Sequence, residues 1–133
     1  MSDAIHIVNQ SLDRCVSQPE FLGRFYEMLL GSSDEIAEKF RHTEFTRQTA
    51  ALKTALYVLL FAREWNLKGD AYLQGLARLH SREDLDVRPE LYDLWLDCLV
   101  KTASEFDPLF DETIADSWRD VFAPGIEFMK SAY

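Results

Sequence analysis

The sequence predicts an all-α chain, and three observations carry that reading. Apolar residues recur at steps of three and four along nearly every segment, and no stretch beyond a few residues alternates with period two. Only four prolines and five glycines punctuate the 133 residues. With 47% hydrophobic residues the chain can fill one well-packed core, so a single domain over residues 1–133 is expected.

The elements follow in order. A helix over 3–16 turns Ile5, Val8, Leu12 and Cys15 to one face. Pro19 suits a first helical position and opens a second helix, which Gly31 stops. Ser32 and Glu35 have capping-box spacing and start a short helix through Phe40. A long helix is expected over 44–66, with Thr43 as its cap and Gly69 beyond its end, and a shorter one over 70–81. Residues 81–88, SREDLDVR, are charged and read as loop. Pro89 opens a helix that reaches Phe106. Asp107 and Pro108 read as cap and first turn of the last helix, which Pro124 should bend by removing a backbone donor.

A formal net charge of −9 argues against a nucleic-acid or anionic-membrane partner, because counterion displacement needs a basic stripe. The longest strongly apolar run, ALYVLLFA at 55–62, is short of the roughly 20 residues that span a bilayer. The start, MSDAIHIVNQ, lacks a basic region followed by an apolar one, so a cytoplasmic protein is expected. Cys15 and Cys98 sit in no C-x-x-C pattern and are expected to be small buried hydrophobes.

Three polar side chains interrupt apolar helix faces. His80 shares a face with Leu73, Leu76 and Ala77; Gln48 lies among Phe45, Leu52, Ala55 and Leu59; Tyr26 lies among Leu22, Phe25, Leu29 and Leu30. Each has an ordinary structural explanation, its polar tip reaching a backbone group or the solvent boundary. Three such tips on three inward faces also suggest a shared guest, since a buried polar group must find a partner.

The order and separations of these residues resemble a bacterial single-domain globin over nearly the whole chain. FYEMLLGSSDEIAEKF (25–40) is similar to the globin second helix running into its corner, with Tyr26 at the distal tyrosine position and Phe40 as the corner phenylalanine. In TRQTAAL (46–52), Gln48 matches the distal residue and Leu52 the apolar position one turn later. LARLH (76–80) resembles the end of the helix that carries the proximal histidine, placing His80 at the iron and Leu76 one turn earlier under the porphyrin. WRDVF around Trp118, and Tyr133, fit the closing helix. The corner between Phe40 and Gln48 is short, so a separate D helix is expected to be absent. The carboxylate that polarises the proximal histidine of flavohaemoglobins has no match, and Glu127 on the last helix has no aligned place.

The resemblance implies a globin fold of about seven helices around a non-covalent haem b. His80 would be the iron ligand, and Phe40, Leu52, Leu76 and Val87 would line the porphyrin with Tyr26 and Gln48. Arg82, Arg88 or Arg47 would meet the propionates, while His6 and His42 would stay in solvent. The implied activity is reversible binding of O2, and of NO or CO, at a five-coordinate iron. A second reading is a gas sensor or a haem-free interaction module on the same scaffold. A third is an enzyme that converts NO and O2 to nitrate; the chain has no room for a flavin reductase domain, so a separate reductase would supply electrons.

Overall fold

The computed structural model describes residues 3–61 and 71–133, which form seven helices and no strand. These are α1 (Asp3–Val16), α2 (Phe21–Ser32), α3 (Asp34–Lys39), α4 (Phe45–Leu60), α5 (Ala71–His80), α6 (Pro89–Phe106) and α7 (Glu112–Ser131). None of them is long and apolar enough to cross a membrane.

α1 buries Ile5, Val8, Leu12 and Cys15 as its periodicity requires, and α6 begins at Pro89 and ends at Phe106 as expected. Several boundaries differ from the sequence reading. Pro19 lies in a turn, and α2 starts at Phe21. The cap of α3 is Ser33, whose hydroxyl accepts from Ile36 N–H at 3.3 Å, while Ser32 bonds back to Leu29 C=O. Glu44 rather than Thr43 caps α4, its carboxylate accepting from the N–H groups of Thr46 and Arg47 at 3.0 and 3.1 Å. A carboxylate there satisfies two orphan donors and meets the positive end of the helix dipole. α4 ends at Leu60 with Phe61 as its C-cap; the rest of the expected span to Asn66, together with Gly69 and Asp70, lies outside the described residues. Between Phe40 and Glu44 there is a turn and no D helix, closed by Thr43 N–H on the Phe40 carbonyl at 3.1 Å.

The base of the molecule is α1 on α7, α2 on α6, and α6 on α7. Its centre is Trp118, Phe122, Phe21, Phe25, Leu12 and Leu99, all fully buried. Each such side chain contributes roughly 1.5–3 kcal/mol by leaving water. α4 spans this base, touching α1, α2 and α7. It comes so near α7 that a Cβ at Gly125 would fall 2.6 Å from Leu59 Cδ2. α7 continues through Pro124 without ending. The helix pairings that hold the fold do not include α4 with α5; α5 rests on α7.

The last helix starts later than its sequence suggests. α7 begins at Glu112, and Asp111 is its cap, accepting from Ile114 N–H at 2.9 Å. Asp107 cannot serve there because its carboxylate is already used. It accepts from Ser11 Oγ at 2.6 Å, from Arg14 Nε and Nη2 at 2.6 and 2.9 Å, and from Leu109 N–H at 2.9 Å. Trp118 Nε1 donates to Ser11 at 3.0 Å, so a polar chain joins α1, the end of α6 and α7 inside the core. Burial pulls the Asp107 carboxyl upward, but the bonds from Arg14, Ser11 and Leu109 prevail and hold it below its ordinary 3.8.

Breaking a buried charge pair from one side leaves the other partners without compensation. Asp107→Ala is expected to lose about 3 kcal/mol in urea unfolding at neutral pH. Because the folded carboxyl is more acidic than the unfolded one, this stability is present above pH ~4 and fades as pH falls through the folded value. An unchanged urea midpoint in the variant would contradict the role of this network.

Candidate functional site

The first group of candidate residues is brought together by α2, the corner after α3, and α4. Tyr26 is 4% exposed, and Gln48 Nε2 donates to its hydroxyl at 3.1 Å. The hydroxyl in turn faces the Gln48 carbonyl at 3.5 Å, a long and weak contact. Burial pushes the Tyr26 phenol up to about 12, with the Gln48 bond pulling slightly the other way. Around this polar pair stand three rings, Phe25, Phe40 and Phe45, with centroids 5.3, 5.6 and 5.3 Å from that of Tyr26. Phe40 and Phe45 stack on each other, and Leu52 is buried one turn after Gln48. The sequence therefore brings Tyr26, Gln48 and Phe40 into one cluster. Phe45 belongs to it too; its place on the Gln48 face was visible, its contact with Tyr26 and Phe40 was not.

The second group lies on α5 and the loop after it. His80 is the last residue of α5 and is half-buried, with Nδ1 2.7 Å from the carbonyl of Leu76. A carbonyl can only accept, so Nδ1 carries the proton and Nε2 keeps its lone pair. Burial lowers the His80 pKa from its ordinary 6.5, with the Leu76 bond opposing, which favours the neutral ring. The loop folds back onto this histidine. Val87 N–H bonds His80 C=O at 2.9 Å, Leu85 N–H bonds Leu79 C=O at 3.0 Å, and Asp86 takes a left-handed φ of 53° to make the reversal. Tyr133 secures it, its hydroxyl on the Asp86 carboxylate and its ring under the Arg82 guanidinium at 4.7 Å.

α5 carries more apolar surface than its neighbours cover. Around the helix the face runs from buried Leu73 and Ala77, through half-buried Leu76 and His80, to Tyr72 and Leu79, which are 43% and 45% exposed. Leu85 in the loop is 48% exposed. Three of the four exposed large hydrophobic side chains among the described residues thus lie on α5 or in the loop after it; the fourth, Leu109, lies between α6 and α7. Leu79 and Leu85 were not singled out by the sequence, although Leu79 shares the turn of Leu76 and His80. No three His, Cys, Asp or Glu side chains among the described residues gather to hold a metal ion, so a metal at His80 would need its other donors from a bound group.

α3 is tied to the loop after α5. Lys39 Nζ donates to Leu85 C=O at 3.1 Å, and Arg88 pairs with Glu35 through Nε and Nη2 at 2.9 and 2.6 Å. Arg88 also meets Glu90, and Arg82 lies on Tyr133, so two of the three guanidiniums expected at an anionic edge are engaged within the chain. Arg47 is exposed on α4; His6 and His42 are exposed as well, and both cysteines are buried and free. One expectation from the sequence needs revision: no buried side-chain N or O among the described residues lacks a partner. Tyr26 and Gln48 satisfy each other, and His80 uses its own helix.

Seen against known proteins, a crystal structure of a Pseudomonas aeruginosa protein, described as structurally highly homologous to a human hemoglobin, is 41% identical to this chain. It superposes with a TM-score of 0.92, and the match covers 98% of each chain. No protein-family model and no curated protein matches the sequence.

An NMR titration of the ligand-free protein is expected to find the His80 ring titrating below 6.5. As pH falls through that ordinary value the unfolded chain takes up a proton that the folded one resists, so His80 makes the fold less stable on the acid side. A ring titrating above 6.5 would contradict its placement.

Proposed function

Since the chain belongs to the globin family, we propose that residues 1–133 act as one domain that holds a non-covalent haem b between α4 and α5 and binds O2, NO or CO reversibly. The observation that carries this reading is His80: a neutral imidazole with Nε2 free, set in an apolar face that the chain itself leaves partly uncovered. A flat macrocycle suits both halves of that feature. Its edges and faces would cover Leu76, Leu79, Leu85 and Val87, and its four ring nitrogens would provide the donors that the protein lacks. When bound, the haem would supply a ferrous iron that takes up small gases.

The chain's residues divide the remaining work. His80 offers Nε2, and the Leu76 carbonyl fixes the tautomer and orientation of the ring and raises its basicity. Opposite, Phe40, Phe45 and Leu52 exclude water, which strengthens any hydrogen bond made there. Tyr26 O–H and Gln48 N–H are the donors available to a polar diatomic ligand. To reach it, Tyr26 gives up only the 3.5 Å contact with the Gln48 carbonyl, a small loss. With glutamine and tyrosine instead of a second histidine on this wall, the site opposite His80 stays open to gas.

Purified protein titrated with hemin, then reduced and exposed to carbon monoxide, is expected to show one-to-one uptake and a five-coordinate ferrous spectrum that CO converts. His80→Ala should lose the imidazole signature and regain it with added free imidazole. A pigment-free protein that ignores hemin would contradict the proposal and favour a haem-free interaction module. A charge-assisted hydrogen bond is worth roughly 1.5–3 kcal/mol, so Tyr26→Phe is expected to speed oxygen release by about 10- to 100-fold in stopped flow. An unchanged off-rate would remove Tyr26 from the donor role.

A further inference from the structure

Five aromatic side chains form an unbroken series through the core, beginning at the crevice. Tyr26 meets Phe25 with centroids 5.3 Å apart, and Phe25 meets Trp95 at 6.0 Å. Trp95 meets Phe122 at 6.2 Å, and Phe122 meets Trp118 at 5.7 Å. Four of these contacts are enough to join the hydroxyl beside Gln48 to a fully buried indole between α1 and α7. Packing explains why aromatic rings adjoin. It does not require that the residues which lose an electron most readily, tyrosine and tryptophan, alternate with phenylalanines that shorten each jump.

The two ends differ in what can happen to a proton. An oxidised tyrosine must shed its phenolic proton, but Tyr26 faces only the amide and carbonyl of Gln48, and neither is a base. Trp118 is placed otherwise. Its Nε1–H donates to Ser11 Oγ at 3.0 Å, and the Ser11 hydroxyl donates to the Asp107 carboxylate at 2.6 Å. Positive charge arising on this indole therefore has a hydrogen-bonded path toward an anion, and none is required of the surface.

We propose that the series Tyr26, Phe25, Trp95, Phe122, Trp118 conducts single electrons toward an oxidant formed in the crevice from hydrogen peroxide, so that oxidising equivalents come to rest on Trp118. The inference rests on the haem reading above. Reduction of one hydrogen peroxide to two waters takes two electrons and two protons; Trp118 supplies one electron, the bound haem would supply the other, and the protons come from solvent. Trp118 is left as an indole radical, its Nε1 proton shifting toward Ser11 Oγ as the Ser11 proton shifts toward Asp107. The activity amounts to a one-electron drain that spares Tyr26 and the gas site.

The test uses the full chain loaded with hemin. Trp65, which lies outside the described residues, is replaced by Phe in every sample so that tryptophan radicals arise at Trp95 or Trp118. One equivalent of hydrogen peroxide is added, radicals are read by rapid-freeze electron paramagnetic resonance with ring-deuterated tryptophan, and oxidised residues are located by peptide mass spectrometry. The expected result is a tryptophan radical with oxidation marking Trp118. Trp95→Phe should remove most of that mark while leaving hemin absorbance and peroxide consumption unchanged, and Phe25→Leu should likewise remove the mark from a second break point. Ser11→Ala keeps the rings but should shorten the lifetime of the radical. Trp118 oxidation that persists in Trp95→Phe, or oxidation confined to tyrosines, would overturn the relay. A chain that takes up no hemin would overturn the haem reading and the relay together; one that takes it up but fails this pattern overturns the relay alone.

Discussion

An apolar helix face that its own protein leaves partly bare is the constraint on which the other features of this molecule turn. α5 rests on α7 and buries Leu73 and Ala77, while the rest of its apolar arc, from His80 and Leu76 to Tyr72 and Leu79, is half-buried or exposed. Exposed leucine costs free energy that a covering group would relieve. The helices proposed to flank that group are each held by contacts of their own. α4 is fixed to α1, α2 and α7, with Leu59 against Gly125, while the loop beyond His80 is held by its own backbone bonds, by Tyr133, and by Lys39 and Arg88 reaching to and from α3. In the haem reading, elements anchored in this way would leave little to be ordered when the guest arrives.

Stability and function are assigned to different parts of the chain. The deepest burial and the Ser11–Arg14–Asp107–Trp118 network lie in α1, α6 and α7. The crevice walls have half-buried side chains, polar ties at the surface and a one-turn contact between His80 and Leu76. Elements with fewer buried contacts open at lower free energy, and the proposed haem would then add stability to the very part that has least. The Tyr26–Gln48 pair follows the same logic. Each group is satisfied by the other while no ligand is present, so neither pays the cost of an orphaned polar atom inside an aromatic cage.

Much of the architecture was legible because helical periodicity is local. The α1 face and both ends of α6 could be read residue by residue, since apolar spacing and Pro89 act over one or two turns. Caps were read less well. Ser33 and Glu44 hold positions that Ser32 and Thr43 could equally claim in a linear pattern, and the choice depends on which backbone N–H groups point at which side chain. Asp107 was misassigned as a cap because its partner Ser11 lies 96 residues away, and no window of sequence contains that pairing. The clustering of Tyr26, Phe40 and Gln48 and the place of His80 on the apolar arc of α5 were legible from register and from the globin resemblance. Phe45, Leu79 and Leu85 were not, because ring contacts and the exposure of a leucine are properties of the folded chain. The same holds for Arg82 and Arg88, whose engagement with Tyr133 and Glu35 appears only once α7 and α3 are in place.

The central claim, that the bare face of α5 is the seat of a flat porphyrin, is tested most directly by leucine-methyl NMR with zinc protoporphyrin, a diamagnetic stand-in that does not depend on iron redox state. The account predicts large ring-current shifts at Leu76, Leu79 and Leu85, saturating at one equivalent. Leu109, 63% exposed but remote from the crevice in the sequence of helices, should stay in place. Shifts that reach Leu109 as strongly as Leu79, or none at the three α5-side leucines, would contradict it.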